Sequence, residues 1–149
     1  MNFKPQFSKA DIAHLKRAYQ QAIYEVYYGK ETIRLRIGDD NLQLEKLLKD
    51  CDGKTWALIT AFNPYSQPLS AAENQQRHQS LLNCLQAMNF TIFDAVGKDD
   101  SGNWTPETSI LIVGIDLIQA KEIGCKFQQN AIVYGQLGEP PELRWLSTY

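Results

Sequence analysis

Polar side chains that could bind a ligand are scattered along the chain, at the ends of predicted strands and helices. Two of them, Glu73 and Glu107, are carboxylates that could form an acid–base pair if the fold brings them together. Glu73 has a simpler local role, because it completes a Ser-x-x-Glu capping box with Ser70. Glu107 has no such role and is the better functional candidate. The full candidate ligand-binding set is Asn63, Glu73, Asn74, His78, Trp104, Glu107, Ser109, Gln129 and Asn130.

Complete catalytic motifs are missing from the sequence. A serine nucleophile elbow, G-x-S-x-G, does not occur, and neither do the glycine-rich loops that hold nucleotide phosphates. His14 and His78 are the two histidines, and they lie too far apart in sequence to show metal-ligand spacing. We therefore predict no metal and no cofactor. Whether the protein is an enzyme stays open at this stage.

Length and composition favour one domain over residues 1–149 with a net charge of −2 and a pI near 5.7. Weak acidity argues against a dedicated nucleic-acid binder. Cys51, Cys84 and Cys125 form no C-x-x-C motif, which favours a reducing compartment. Neither a signal peptide nor a membrane span is apparent. We expect a cytoplasmic protein that does not contact a membrane.

The N-terminal third, residues 1–52, is predicted to form a helix–strand–helix extension. A helical stripe of apolar residues predicts one long helix from Ser8 to near Gly29, and strict alternation predicts a peripheral strand over 33–37. A short helix should follow, with its leucines on one side. The stripe of the first helix consists of Ile12, Leu15, Tyr19, Ala22 and Val26.

The remaining core, about 56–135, has the order strand, helix, strand, strand, helix, strand. Two of its strands, 56–62 and 110–115, are apolar on both faces and should be central and adjacent. The order predicts an α+β fold with a ferredoxin-like split βαβ (βαββαβ) core and a mixed or antiparallel sheet. A doubly wound parallel sheet is the alternative, which the predicted hairpin between the second and third strands disfavours.

Antiparallel neighbours would bring the candidate residues to one end of the sheet. We expect them to form a pocket for a small polar ligand there. An alternative to such a pocket is that the amide side chains only cap helices and turns. The alternative for the protein is an interaction or oligomerisation module, such as a homodimer, that uses its sheet or the tyrosines Tyr24 and Tyr28 of the first helix.

Four segments of the chain resemble the signature of the bacterial domain of unknown function 3293 family. They are Thr60–Ser66, Glu73-Asn74 with Arg77 following, Trp104–Ser109, and Gln129-Asn130-Ala131. These segments occur in the family's order, and the resemblance covers roughly Tyr19 to Tyr134. Phe62 differs from the Trp expected in many relatives, a change that affects packing more than chemistry. The resemblance implies that the polar segments act as a set, and it implies no particular reaction.

Overall fold

The computed structural model describes residues 6–102 and 104–147. The first part of the chain forms α1 Lys9–Gln21, β1 Ile23–Tyr28, β2 Glu31–Arg36, α2 Leu42–Asp50 and β3 Thr55–Thr60. After a short 3-10 turn at Pro64–Ser66, the chain continues with α3 Ala71–Ala87, β4 Thr91–Lys98, β5 Glu107–Val113, α4 Leu117–Lys126, β6 Ala131–Gln136 and β7 Glu142–Trp145. The architecture is therefore α+β.

All seven strands belong to one antiparallel sheet in the order β2-β1-β4-β5-β3-β6-β7. The sheet is curled into a half-barrel. β3 and β5 are neighbours, with Leu58 opposite Leu111 and Thr60 opposite Ser109. The predicted adjacency of the two apolar strands is thus confirmed. It also places the loop that follows β3 beside the first residues of β5.

Hydrophobic clusters cover both faces of the two central strands. On β3, Trp56 and Leu58 point to one face, where α2 packs, while Ala57 and Ile59 point to the other. That second face is covered by α3 and α4 through residues such as Leu81 and Ile123. Because both faces of β3 and β5 are buried, the sequences of these strands are continuous apolar runs.

The prediction of one helix from Ser8 to Gly29 is wrong in its second half. α1 ends at Gln21, Ala22 adopts an extended conformation with ψ 153°, and residues 23–28 form β1. Tyr24 and Val26 are buried on one side of that strand. A spacing of four residues, such as Ala22 to Val26, satisfies both a helical and a strand repeat. Residues 23–28 form a strand because they are rich in β-branched and aromatic side chains and because they pair with β2 and β4.

Gly135 on β6 lies directly opposite Trp56, and a Cβ there would come within 2.6 Å of the Trp56 ring. Because Trp56 is fully buried and cannot move aside, we expect Gly135→Ala to lower the free energy of unfolding by about 1–3 kcal/mol. Urea denaturation measures the change. Gly97→Ala on β4 is the control, since its Cβ would lie 3.4 Å from the nearest atom of Tyr24. Equal effects of the two substitutions would contradict the close contact.

Candidate functional site

Three separate segments form a cleft at one end of the sheet: the second half of α1, the loop after β3, and the loop between β4 and β5. This outer cleft has a volume of about 430 Å³ and is lined by His14, Leu15, Ala18, Tyr19, Asn63, Ser66, Pro68, Trp104, Thr105 and Glu107. A smaller inner cavity of about 40 Å³ shares Tyr19, Trp104 and Glu107 with the cleft. Glu107 therefore lies in the wall of both spaces.

The inner cavity exists partly because Gly97 has no side chain. Tyr24 on β1 is paired with Gly97 on β4, and Gly97 is paired with Glu107 on β5. Paired residues point to the same face of a sheet, so Tyr24 and Glu107 flank an empty position. Ser109 and Gln129 also line this cavity.

The loop after β3 holds three non-glycine residues in left-handed conformations. Asn63, Tyr65 and Ser66 have φ values of 48°, 51° and 60°. Asparagine tolerates this region better than most residues, whereas tyrosine and serine adopt it at a cost. Such a conformation persists only where neighbouring contacts enforce it. This segment, residues 63–66, is called the strained loop below.

Hydrogen bonds from α3 hold the first residue of the strained loop. The side chain of Asn74 accepts from the backbone N–H of Asn63 (2.8 Å) and donates to the Asn63 side-chain oxygen (2.8 Å). The same oxygen accepts from the N–H of Leu69 (3.0 Å). Asn74 is 5% exposed. The prediction that Asn63 and Asn74 lie together is confirmed, and their contacts show that Asn74 positions the loop from outside the cleft lining.

Ser66 connects the strained loop to α1 and to the segment before β6. Its Oγ lies 2.6 Å from the Tyr19 hydroxyl and accepts from the Asn130 side-chain amide (2.9 Å). Asn130 is 1% exposed and accepts from the Ser147 hydroxyl (2.6 Å), so it supports the wall from behind. The backbone N–H of Tyr65 donates to the Gln128 carbonyl (2.7 Å).

Arg77 belongs to one of the family segments but was not a candidate ligand-binding residue, and the structure gives it a structural role in this region. Its guanidinium donates to the Ala61 carbonyl (2.6 Å), to the Gln128 side-chain oxygen (3.2 Å) and to the Phe127 carbonyl. It thereby ties the end of β3 to the C-terminus of α4. Burial lowers its pKa. No local pattern could have identified this role, since Phe127 lies 50 residues further along the chain.

Glu107 is the carboxyl group of the cleft. Burial raises its pKa to about 7, and a hydrogen bond from the Asn63 side chain opposes that rise. The pKa of the neighbouring Tyr24 is also raised, first by burial and then by Tyr19 and Glu107. Near neutral pH, Glu107 can therefore hold or release a proton, which is what a general acid or base needs.

Glu73 and His78 are, with Asn74 and Asn130, the four candidate residues that line neither the outer cleft nor the inner cavity. Glu73 is exposed and forms the capping box with Ser70, with a backbone-to-side-chain distance of 3.1 Å in one direction and 3.3 Å in the other. His78 packs against the Phe62 ring, on the sheet face covered by α3. Its Nδ1 is buried without a partner among the described residues, and burial lowers its pKa. Glu107 therefore has no carboxylate partner within the cleft lining.

Five of the nine candidate residues line one or both cavities: Asn63, Trp104, Glu107, Ser109 and Gln129. Tyr19 and Ser66 were not among the candidates. The helical stripe assigned Tyr19 to the core, and Ser66 was named only as the end of the family segment Thr60–Ser66. The part of the chain that the structure describes contains no cluster of three His, Cys, Asp or Glu residues able to hold a metal ion. None of the helices in that part is long and apolar enough to cross a membrane.

Loss of the Asn63 side chain should destabilise the protein. Asn63→Ala would remove the oxygen that accepts from the Asn74 side-chain N–H and from the Leu69 N–H, and it would place alanine at a φ of 48°, so we expect a loss of about 1–3 kcal/mol. Chemical denaturation measures it. Asn83→Ala on the exposed side of α3 removes a surface hydrogen bond to Gln79 and should change stability by less than about 0.5 kcal/mol. Equal losses would show that the Asn63–Asn74 pair has no special role.

The Glu107 carboxyl should make stability fall as pH rises. Its pKa is raised from 4.5 to about 7, so between these values the folded protein binds more protons than the unfolded chain. Glu107→Gln should therefore be nearly neutral near pH 5 and stabilising near pH 8, by at most roughly 3 kcal/mol at about 1.4 kcal/mol per pKa unit. Urea denaturation across this range tests it. Glu122→Gln, an exposed site on α4, is the control, and a Glu107→Gln effect independent of pH would contradict the assignment.

A family model described as a protein of unknown function (DUF3293) matches residues 59–132. This match is shorter than the resemblance from Tyr19 to Tyr134 inferred from the sequence. It contains Asn63, Glu107 and Gln129 but not α1, which supplies Tyr19. No curated protein and no solved structure matches the chain significantly. The matched segment spans the strained loop, α3, β4, β5 and α4, and the chain belongs to the DUF3293 family.

Proposed function

We propose that this protein binds a small polar molecule in the outer cleft, with the polar end of that molecule at Glu107. The observation that carries the proposal is the position of Glu107, which faces both the outer cleft and the inner cavity where three separate segments meet. A volume of about 430 Å³ lies within the range of small-molecule sites. A protonatable carboxyl in a cleft is a common sign of a functional site.

The strained loop supports the same proposal. Left-handed tyrosine and serine residues cost free energy, and such strain is concentrated at binding and catalytic sites. Here the strain places Ser66 in the cleft wall, where it meets Tyr19. A turn that only connected β3 to α3 would not need three left-handed residues. If the site carries out a reaction, proton transfer is the chemistry that Glu107 can supply.

The alternative, an interaction module that uses the tyrosines of a first helix, has less support. Tyr24 and Tyr28 lie on β1, and both are packed within this chain. Tyr24 is 7% exposed, and the Tyr28 hydroxyl donates to Asp50 (2.8 Å) while its ring packs edge-on against Phe93. Exposed large apolar side chains are single residues on different segments: Tyr27, Leu42, Met88 and Ile118. Scattered exposure of this kind is ordinary for a protein surface.

The proposal includes two finer points on fold and location. A ferredoxin-like split βαβ unit formed by β3, α3, β4, β5, α4 and β6 is supported by the order β4-β5-β3-β6 and by antiparallel pairing throughout. To this unit the chain adds β1 and β2 on one side and β7 on the other. A cytoplasmic location is supported by three free thiols, at Cys51, Cys84 and Cys125.

Filling the outer cleft should abolish ligand binding without unfolding the protein. Ala18 on α1 lines the cleft, whereas Ala13 on the same helix is exposed. We expect thermal-shift hits from a metabolite library to disappear in Ala18→Phe and to persist in Ala13→Phe, because the two substitutions alter helix propensity equally. Hits that survive Ala18→Phe, or a library that produces none with the unmodified protein, would reject the cleft as a binding site.

A further inference from the structure

When Glu107 is ionised, the outer cleft and the inner cavity carry a negative charge that no lysine or arginine in their lining balances. Glu107 is the carboxylate in their lining, and among the described residues none of the lysines and arginines lines either space. Arg77 is held by backbone carbonyls elsewhere, and Lys16 lies over the Trp145 ring at 5.1 Å. A carboxylate or phosphate ligand would find no counter-charge here, whereas a cation would.

Three polar side chains of the inner cavity offer acceptors, because their donors already form hydrogen bonds within the protein. The side-chain N–H groups of Gln129 donate to the Phe62 and Phe127 carbonyls (3.0 and 3.1 Å). Its Oε1 is therefore the atom that can accept a hydrogen bond from a ligand. The Thr60 hydroxyl donates to the Thr108 carbonyl (2.7 Å), and the Ser109 hydroxyl donates to the Glu107 carbonyl (3.1 Å). A ligand group that donates hydrogen bonds can therefore pair with the oxygens of these three side chains.

Aromatic rings complete the match to a cation. Tyr19 and Trp104 line both the outer cleft and the inner cavity, next to Glu107. The faces of such rings are electron-rich and attract ammonium groups, and their bodies bury apolar surface. An inner volume of about 40 Å³ has room for a head group, and the remainder of the ligand would lie in the outer cleft.

We propose that the ligand of this site is a small primary amine in its protonated form, with the ammonium at Glu107 and the inner cavity and an apolar or aromatic body between Tyr19 and Trp104. Three N–H donors of an ammonium suit the carboxylate of Glu107 together with the oxygens of Gln129, Ser109 and Thr60. A divalent metal ion is a poorer match, because the described part of the chain has no group of three acidic, His or Cys ligands. The inference rests on the proposed function and narrows its ligand class.

Binding of an amine should depend on the ionisation of Glu107. The titratable groups that face it are Tyr24 from β1 and Tyr19 and His14 from the α1 side, while β4 presents Gly97 and the strained loop presents Asn63. With a pKa of about 7, Glu107 is mostly protonated at pH 6 and mostly ionised at pH 8. Affinity for an amine that stays charged over this range should rise about tenfold from pH 6 to pH 8.

The test compares three probes of similar shape by calorimetry or by ligand-observed NMR: benzylamine, benzyl alcohol and benzoate. At pH 8 we expect benzylamine to bind at least about tenfold more tightly than the neutral and the anionic probe. Glu107→Gln should remove this preference and the pH dependence, whereas Glu122→Gln, with the same loss of charge on exposed α4, should keep both. Thermal unfolding at pH 6 confirms that each variant is folded.

Three outcomes would overturn the inference. They are a preference for benzoate or benzyl alcohol, benzylamine binding that survives Glu107→Gln, and no benzylamine binding at millimolar concentration. Different results would reject the proposed function itself: library compounds that still stabilise Ala18→Phe, or no stabilising compound in the library. A neutral or anionic library hit that Ala18→Phe abolishes would leave the proposed function standing and reject the amine.

Discussion

Antiparallel pairing of β3 and β5 is the constraint on which the site depends. Both strands are buried on both faces, so neither can shift by one residue without turning an apolar row towards a different cluster. The register sets Thr60 opposite Ser109. The loop that starts at Ala61 and the carboxyl of Glu107 are therefore neighbours by strand geometry, before any polar contact is made.

Polar side chains at this end of the sheet form hydrogen bonds mainly to backbone groups and less often to one another. Asn74, Arg77 and Gln129 each satisfy backbone groups at the ends of β3 or α4, where regular hydrogen bonding stops. These contacts stabilise a loop that contains left-handed tyrosine and serine. Glu107 differs from them, because burial raises its pKa towards neutral pH and, in the part of the chain that the structure describes, no lysine or arginine lines the space around it. A carboxyl with a raised pKa lowers the free energy of unfolding as pH rises towards that pKa, and groups of this kind are common at functional sites.

The two faces of the sheet have different roles. α3 and α4 cover one face and form an apolar core with it, and His78 lies on that side against Phe62. The end of the other face is covered by α1, which has no fully buried residue and borders the outer cleft. Asn63 connects the two sides, since α3 holds it while its side chain reaches Glu107. The helices that support the strained loop and the outer cleft therefore lie on opposite faces of the sheet.

The sequence alone determined the features that depend on neighbours in the chain. Apolar runs at 56–62 and 110–115 identified the paired central strands, and the capping box at Ser70 marked the start of α3. The sequence could not separate α1 from β1, because the spacing of Ala22 and Val26 fits both a helical and a strand repeat. Tertiary structure decided that Tyr19 meets Ser66, that Arg77 reaches Phe127, and that Glu107 is buried enough to hold a proton. Such contacts join residues about 50 positions apart, and the strength of each depends on burial that no local pattern encodes.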